Sequence, residues 1–170
     1  MVTPLDPGCI FGVLTALKVD YVLIGGLAAV VRGSSVMTND ADIFPAKTSE
    51  NMERVSAALV ELDAKLRVES EPDGVSFDPH PSLLMSMVAL DLTTRCGDLD
   101  LTFQPAALDD YDELLAASDE YELSGQKVRV AALADIIRSK EAAGRAKDHA
   151  TLPILYALQE EIDRRAGQPE

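Results

Sequence analysis

Apolar residues recur along this chain with two different periods, and the switches between them divide it into alternating helices and strands. Asp6-Pro7 reads as a helix cap followed by proline at the first helical position, and Ile10, Phe11, Leu14 and Leu17 then follow at helical spacing. Tyr21-Val-Leu-Ile24 is a short apolar run closed by Gly25-Gly26, which predicts a buried strand. A short Ala/Val-rich helix is predicted from Leu27 to Arg32, broken by Gly33-Ser34-Ser35, and a second strand from Asp40 to Phe44, stopped by Pro45. Thr48 caps the next helix, whose apolar stripe is Met52, Val55, Leu59 and Leu62.

Leu66 to Val68 and Val75 to Phe77 read as strands around a turn at Glu71-Pro-Asp-Gly74, and the two prolines between Asp78 and Ser82 read as a loop. Strands are predicted from Met87 to Thr93 and from Gly97 to Phe103. In the latter, Leu99, Leu101 and Phe103 fall on one face and Asp98, Asp100 and Thr102 on the other. A short helix over Asp109 to Ala117 precedes a hairpin, Tyr121 to Leu123 and Lys127 to Val130 around Ser124-Gly125. Leu133, Ile136 and Ile137 mark a helix ending near Gly144, and a last helix from Asp148 to Arg164 carries Leu152, Leu155, Leu158 and Ile162. The expectation is an α+β fold: a mixed sheet flanked by helices, with the C-terminal helices packed on the core. The 170 residues fit one domain, with its core over about residues 8–130 and a helical part over about 131–166.

Charge narrows the chemistry. A formal net charge of −14 repels a phosphate backbone and argues against a general nucleic-acid surface. Yet Arg138, Lys140, Arg145 and Lys147 cluster within ten positions, either to meet a small anion or as a solvated helix face. No apolar run is long enough to span a bilayer, and Met1 to Pro7 has no basic stretch ahead of an apolar one. A cytoplasmic protein with no membrane partner is expected. Cys9 and Cys96 share no CxxC spacing and are expected as buried small hydrophobes in a reducing compartment rather than as a disulfide. His80 and His149 give a zinc site little to build on, and His149 reads as a surface residue.

Asp40 and Asp42 lie two apart in a strand, so both project from one face. Adjacent carboxylates repel, and strand interiors disfavour aspartate, so the pair needs either solvent or a cation. Gly25-Gly26, at a strand-to-helix turn, exposes backbone N–H groups that suit phosphate. Ser34, Ser35 and Thr38 add hydroxyls that either bond phosphate or cap the loop. A third acidic position arises at Asp98-Leu-Asp100; Asp100 is favoured because Gly97 begins the strand and Asp98 sits near its end. Asp91 is taken as structural. Three converging carboxylates beside phosphate-binding backbone describe a hard divalent site for Mg2+ or Mn2+, the kind used in two-metal nucleotidyl transfer.

The run Ile24-Gly-Gly26 through Thr38-Asn-Asp-Ala-Asp42 resembles the signature of the minimal nucleotidyltransferase superfamily, which includes polymerase beta and the aminoglycoside nucleotidyltransferases. With Ile136-Ile-Arg-Ser-Lys-Glu-Ala-Ala-Gly-Arg-Ala-Lys-Asp148, it is most similar to the AbiEii and MenT-like branch of toxin nucleotidyltransferases. The resemblance implies a nucleotidyltransferase-like fold and divalent metal at Asp40, Asp42 and either Asp100 or Asp98. It places phosphate on Gly25 and Gly26, triphosphate on Lys140, Asp148 at the edge of the site, and added positive charge at Arg145 and Lys147. It implies a nucleoside triphosphate donor and a hydroxyl acceptor: a tRNA end, a protein or a small molecule. For a toxin it also implies a cognate antitoxin. The chain departs from the pattern at Val36, where members often carry arginine, and at Ala41, where they often carry a large aliphatic residue. The alternatives are a catalytically silent nucleotide- or protein-binding module of the same fold, and a domain whose carboxylates are simply solvated.

Overall fold

The computed structural model describes residues 2–169. In chain order its elements are α1 (Pro7–Ala16), β1 (Tyr21–Ile24), α2 (Gly25–Val31), β2 (Asp40–Pro45), α3 (Ser49–Glu61), β3 (Lys65–Val68), β4 (Glu71–Val75), α4 (Pro81–Ser86), β5 (Ala89–Thr94), β6 (Gly97–Thr102), α5 (Tyr111–Ala117), β7 (Asp119–Leu123), β8 (Gln126–Val130), α6 (Leu133–Ala143) and α7 (Ala146–Ala166). The expected α+β class is the one found. The strands form one mixed sheet in the order β4-β3-β5-β6-β2-β1-β8-β7. β2 runs parallel to β6 and β1 parallel to β8; the other neighbours are antiparallel.

Local chemistry fixes where the helices begin. The Asp6 carboxylate accepts from the Cys9 amide and the Thr48 hydroxyl from the Asn51 amide, each at an N-cap. Asn51 is itself buried, where it accepts from Asp20 N–H and donates to the Asp20 and Ala46 carbonyls, tying α3 to the ends of β1 and β2. On β5 and β6 burial alternates: Leu90, Leu92, Leu99 and Leu101 enter the core, while Asp91, Asp98 and Asp100 lie on the opposite, polar face. β1 is buried along its whole length.

Three expectations change. Glu71 to Gly74 is not a turn but most of β4, and the chain reverses at Glu69-Ser70 instead. Gly74 makes this pairing feasible: at φ +76° an added Cβ would fall 2.8 Å from Lys65 Cβ and 2.8 Å from Thr93 Cγ2. The proline-rich loop holds only as far as His80, which caps α4, with Pro81 at the first helical position, where a missing N–H costs nothing. Cys9 and Cys96 are joined in a disulfide, with Cα atoms 5.8 Å apart, so the expected pair of free thiols is overturned. Sequence spacing gave no sign of it because the partners are 87 residues apart. They meet because the segment before α1 lies against the β5–β6 turn, where Asp6 N–H donates to the Cys96 carbonyl at 2.8 Å.

Candidate active site

The parallel β2–β6 pairing sets Asp40 opposite Asp98 and Asp42 opposite Asp100. Because alternate residues share a face, all four carboxylates emerge on the polar side of the sheet. One oxygen each from Asp40, Asp42 and Asp100 lie within 4.8 Å of one another, the one such acidic group among the described residues. Asp98 stands outside it, paired instead with Arg67 at 3.1 Å. Asp91, opposite Asp100 on β5, lines the same cleft, so it belongs to the site's surroundings rather than to the scaffold alone.

This crowding shifts the carboxyls as electrostatics requires. Burial first and the Asp40 charge second push Asp42 up to about 6, against the opposing charges of Lys147, Lys140 and Arg145. Burial, then Asp42, pushes Asp100 up to about 7; Arg67 opposes this, while Asp91 and Asp40 add to it. A divalent cation among them would favour the ionised form of both.

The glycine turn lies directly against these carboxylates. Gly25 opens α2 with φ +70°, and an added Cβ there would fall 2.8 Å from Asp42 Cγ. Only glycine allows the start of α2 to pass this close to Asp42. A Cβ on Gly26 would meet Thr38 Oγ1 at 3.1 Å. The hydroxyls are engaged within the loop: Thr38 donates to Asp40 Oδ1 at 3.0 Å, and Ser34 Oγ accepts from Val36 N–H at 3.2 Å. Both residues nonetheless line the cleft.

Opposite the acidic strands stands a basic wall. α6 ends at Gly144 in the left-handed conformation, and α7 starts two residues later. Asp148, in the first turn of α7, is fully buried. It accepts from the Arg145 backbone N–H at 3.2 Å and from Arg145 Nε at 2.7 Å, and pairs with Lys140 Nζ at 3.5 Å. Burial pushes its carboxyl up, but Arg145 and then Lys140 more than offset that and hold it below the usual range. Asp148 thus anchors two cations rather than facing the cleft. Lys140, Arg145 and Lys147 line the cleft; Arg138 pairs with Asp135 instead and lies against a separate hollow. His149 is exposed, as expected.

Between the walls lies a cleft of about 560 Å³, which also takes in Ile24, Met37, Thr102, Gln104, Ile136 and Ser139. Its size is that of a small-molecule site. The donor set suits a hard divalent cation: three convergent carboxylates, with no histidine or cysteine among them.

Arg67 escaped the sequence reading. Its Nη2 donates to both Asp100 oxygens at 2.8 and 3.0 Å, and its Nη1 to the Leu92 carbonyl at 3.2 Å. It reaches these from β3, across the intervening β5. Only the pairing of β3 with β5 brings it there, and no spacing in the chain reports that.

Mixed sheet, glycine turn, twin-aspartate strand and following helices together make up the nucleotidyltransferase fold. The chain superposes on a lincosamide antibiotic adenylyltransferase, LnuA, in its lincomycin-bound structure, at a TM-score of 0.59 and 16% identity, covering 92% of this chain and 99% of that one. It superposes on the antibiotic-resistance factor ANT(2'')-Ia at a TM-score of 0.53 and 15% identity, covering 92% and 89%. A third likeness is to a nucleotidyltransferase-like protein of Thermotoga maritima, at 0.54 and 18%, covering 85% and 86%. No family model matches the sequence, and no curated protein matches it. At these identities the likeness is one of fold.

Proposed function

We propose that the chain is a metal-dependent nucleotidyltransferase that moves a nucleoside monophosphate from a nucleoside triphosphate to an acceptor hydroxyl. The observation that carries this reading is the meeting of Asp40, Asp42 and Asp100 within 4.8 Å beside the Gly25-Gly26 turn. A fold shared with a lincosamide antibiotic adenylyltransferase and with an antibiotic-resistance factor supports it.

Asp40, Asp42 and Asp100 would hold Mg2+ or Mn2+, which, when bound, neutralises phosphate oxygens and makes the acceptor hydroxyl more acidic. The start of α2 offers backbone N–H groups to the triphosphate, and Lys140, Arg145 and Lys147 balance its charge. The acceptor oxygen bonds to the α-phosphorus as the bond to the β-phosphate oxygen breaks. Pyrophosphate leaves, and the hydroxyl proton passes to solvent.

We favour a small hydroxylated molecule as acceptor, since a net charge of −14 opposes a polyanion. A second reading, a cytoplasmic toxin of the AbiEii and MenT-like kind acting on a tRNA end and held by an antitoxin, rests on the Lys140-to-Asp148 element. The decisive experiment is label transfer. Each of the four α-labelled triphosphates is incubated with Mg2+ and with bulk tRNA, cell extract or hydroxylated antibiotics. Label should move with wild type and fall to background with Asp40→Ala. Equal labelling by both proteins would remove Asp40 from the chemistry. Stoichiometric nucleotide binding without transfer to any acceptor would leave a silent binding module.

A further inference from the structure

We propose that Arg67 is a positioning residue for the metal site, clamping Asp100 so that its oxygens face Asp40 and Asp42; this rests on the metal-dependent reading above. The clamp is built from several elements at once. Nη2 donates to both oxygens of Asp100, at 2.8 and 3.0 Å. Nη1 is fixed by the Leu92 carbonyl at 3.2 Å and by Asp98 Oδ2 at 3.1 Å. The guanidinium is thus pinned to the backbone of β5 and to two carboxylates of β6, and only about a third of the side chain is exposed.

A carboxylate offers about four lone-pair positions, and this contact uses one on each Asp100 oxygen. The others stay available, and an Asp100 oxygen lies within 4.8 Å of oxygens of Asp40 and of Asp42, its register partner on β2. Asp100 therefore does not have to leave Arg67 to ligate a cation. The guanidinium also faces Asp91 and so offsets three carboxylates on β5 and β6. Without it, Asp100 would be free to rotate away from Asp42 to relieve repulsion, and the three-oxygen geometry would loosen. Lysine brings the charge but only one nitrogen, so it can meet Asp100 yet cannot at the same time be pinned to the Leu92 carbonyl and Asp98 as the planar fork is.

The test is Mn2+ binding by the full chain, followed by the electron paramagnetic resonance of free Mn2+. Partners that orient metal ligands typically contribute about 10–100-fold in affinity, so Arg67→Ala should weaken Mn2+ binding by that amount, with Arg67→Lys recovering only part of it. On an Asp100→Asn background Arg67→Ala should cost much less, because the residue it positions is already compromised. Mn2+ bound by Arg67→Ala as tightly as by wild type would overturn the proposal. So would an equal loss on both backgrounds, or full recovery by Arg67→Lys. If Arg67→Ala fails to fold, Arg67→Lys alone decides, since wild-type affinity there would show that charge suffices. Asp40→Ala separates the two levels of inference. If wild type binds no Mn2+, or Asp40→Ala binds it equally, the metal reading falls and takes this one with it. If Asp40→Ala loses Mn2+ while Arg67→Ala keeps it, only the role of Arg67 falls.

Discussion

The cleft has two walls made in different ways. The acidic wall is set by backbone register: once β2 pairs with β6, Asp42 must stand opposite Asp100. The basic wall is set by side chains: Lys140 and Arg145 come from two helices and converge on the single buried carboxylate of Asp148. Register resists single substitutions because many backbone hydrogen bonds share in maintaining it. A tether through one side chain fails when that side chain is removed. The basic wall should therefore be the fragile one, and its loss should be felt in the packing of α6 against α7 before it is felt at Asp40.

The largest stability effect is expected at that tether. Asp148→Ala leaves the mostly buried Lys140 without its partner; Arg145, being largely exposed, recovers solvent. We expect a loss of about 3 kcal/mol in urea unfolding, toward the low end for a broken buried ion pair. Mn2+ affinity should change far less than stability. Equal loss of both would mean that the two walls are not independent.

Next comes Gly25→Ala. It forces a non-glycine residue to φ +70° and presses a methyl group on Asp42. A cost of about 2 kcal/mol is expected, with a fall in Mn2+ affinity as Asp42 is displaced. Loss of stability with unchanged Mn2+ binding would separate the turn from the acidic wall.

The smallest effect is in pH dependence. The carboxyl of Asp42 sits at about 6 when folded, against 3.8 for the ordinary group. The folded state therefore binds this proton more tightly than the unfolded one. Protonation favours folding, and that contribution is lost as pH rises from near 4 through about 6. In metal-free buffer Asp42→Asn should be more stable than wild type at pH 7.5, the difference shrinking toward pH 4. Mg2+ should reverse the order at pH 7.5, since it stabilises only the chain that binds it. Thermal melts of both proteins across this range, with and without Mg2+, check it.

What could be read from the chain follows the same division. Asp40 and Asp42 were legible because strand period alone puts them on one face; that Asp100 rather than Asp98 lies among them is a matter of how β6 meets β2. Gly144 was legible as a helix end because its left-handed backbone suits glycine. Arg67 was not, because its partners lie two strands away in the sheet, and strand order is a tertiary fact. The Cys9–Cys96 bond was missed for the same reason. α4 was missed because its prolines counted as breakers, although Pro81 stands where a helix tolerates one. The burial of Asp148 escaped because its neighbours in sequence are exposed and only the fold of α7 back onto α6 encloses it.

Arg32 stands at the far end of α2 from Gly25. Its Nη1 donates to Asp119 at 2.7 Å and its Nη2 to the Val130 carbonyl at 2.9 Å, while Nε donates to the Ala131 carbonyl at 3.0 Å. The β7–β8 hairpin otherwise joins the sheet through a short parallel register at Leu23 and Val130. One guanidinium thus rivets the short helix that begins at the glycine turn to the hairpin at the sheet's edge. Amide hydrogens of β8 and of α2 should accordingly exchange with solvent as one opening unit, and a ligand gripping the start of α2 should slow exchange in a hairpin it never touches.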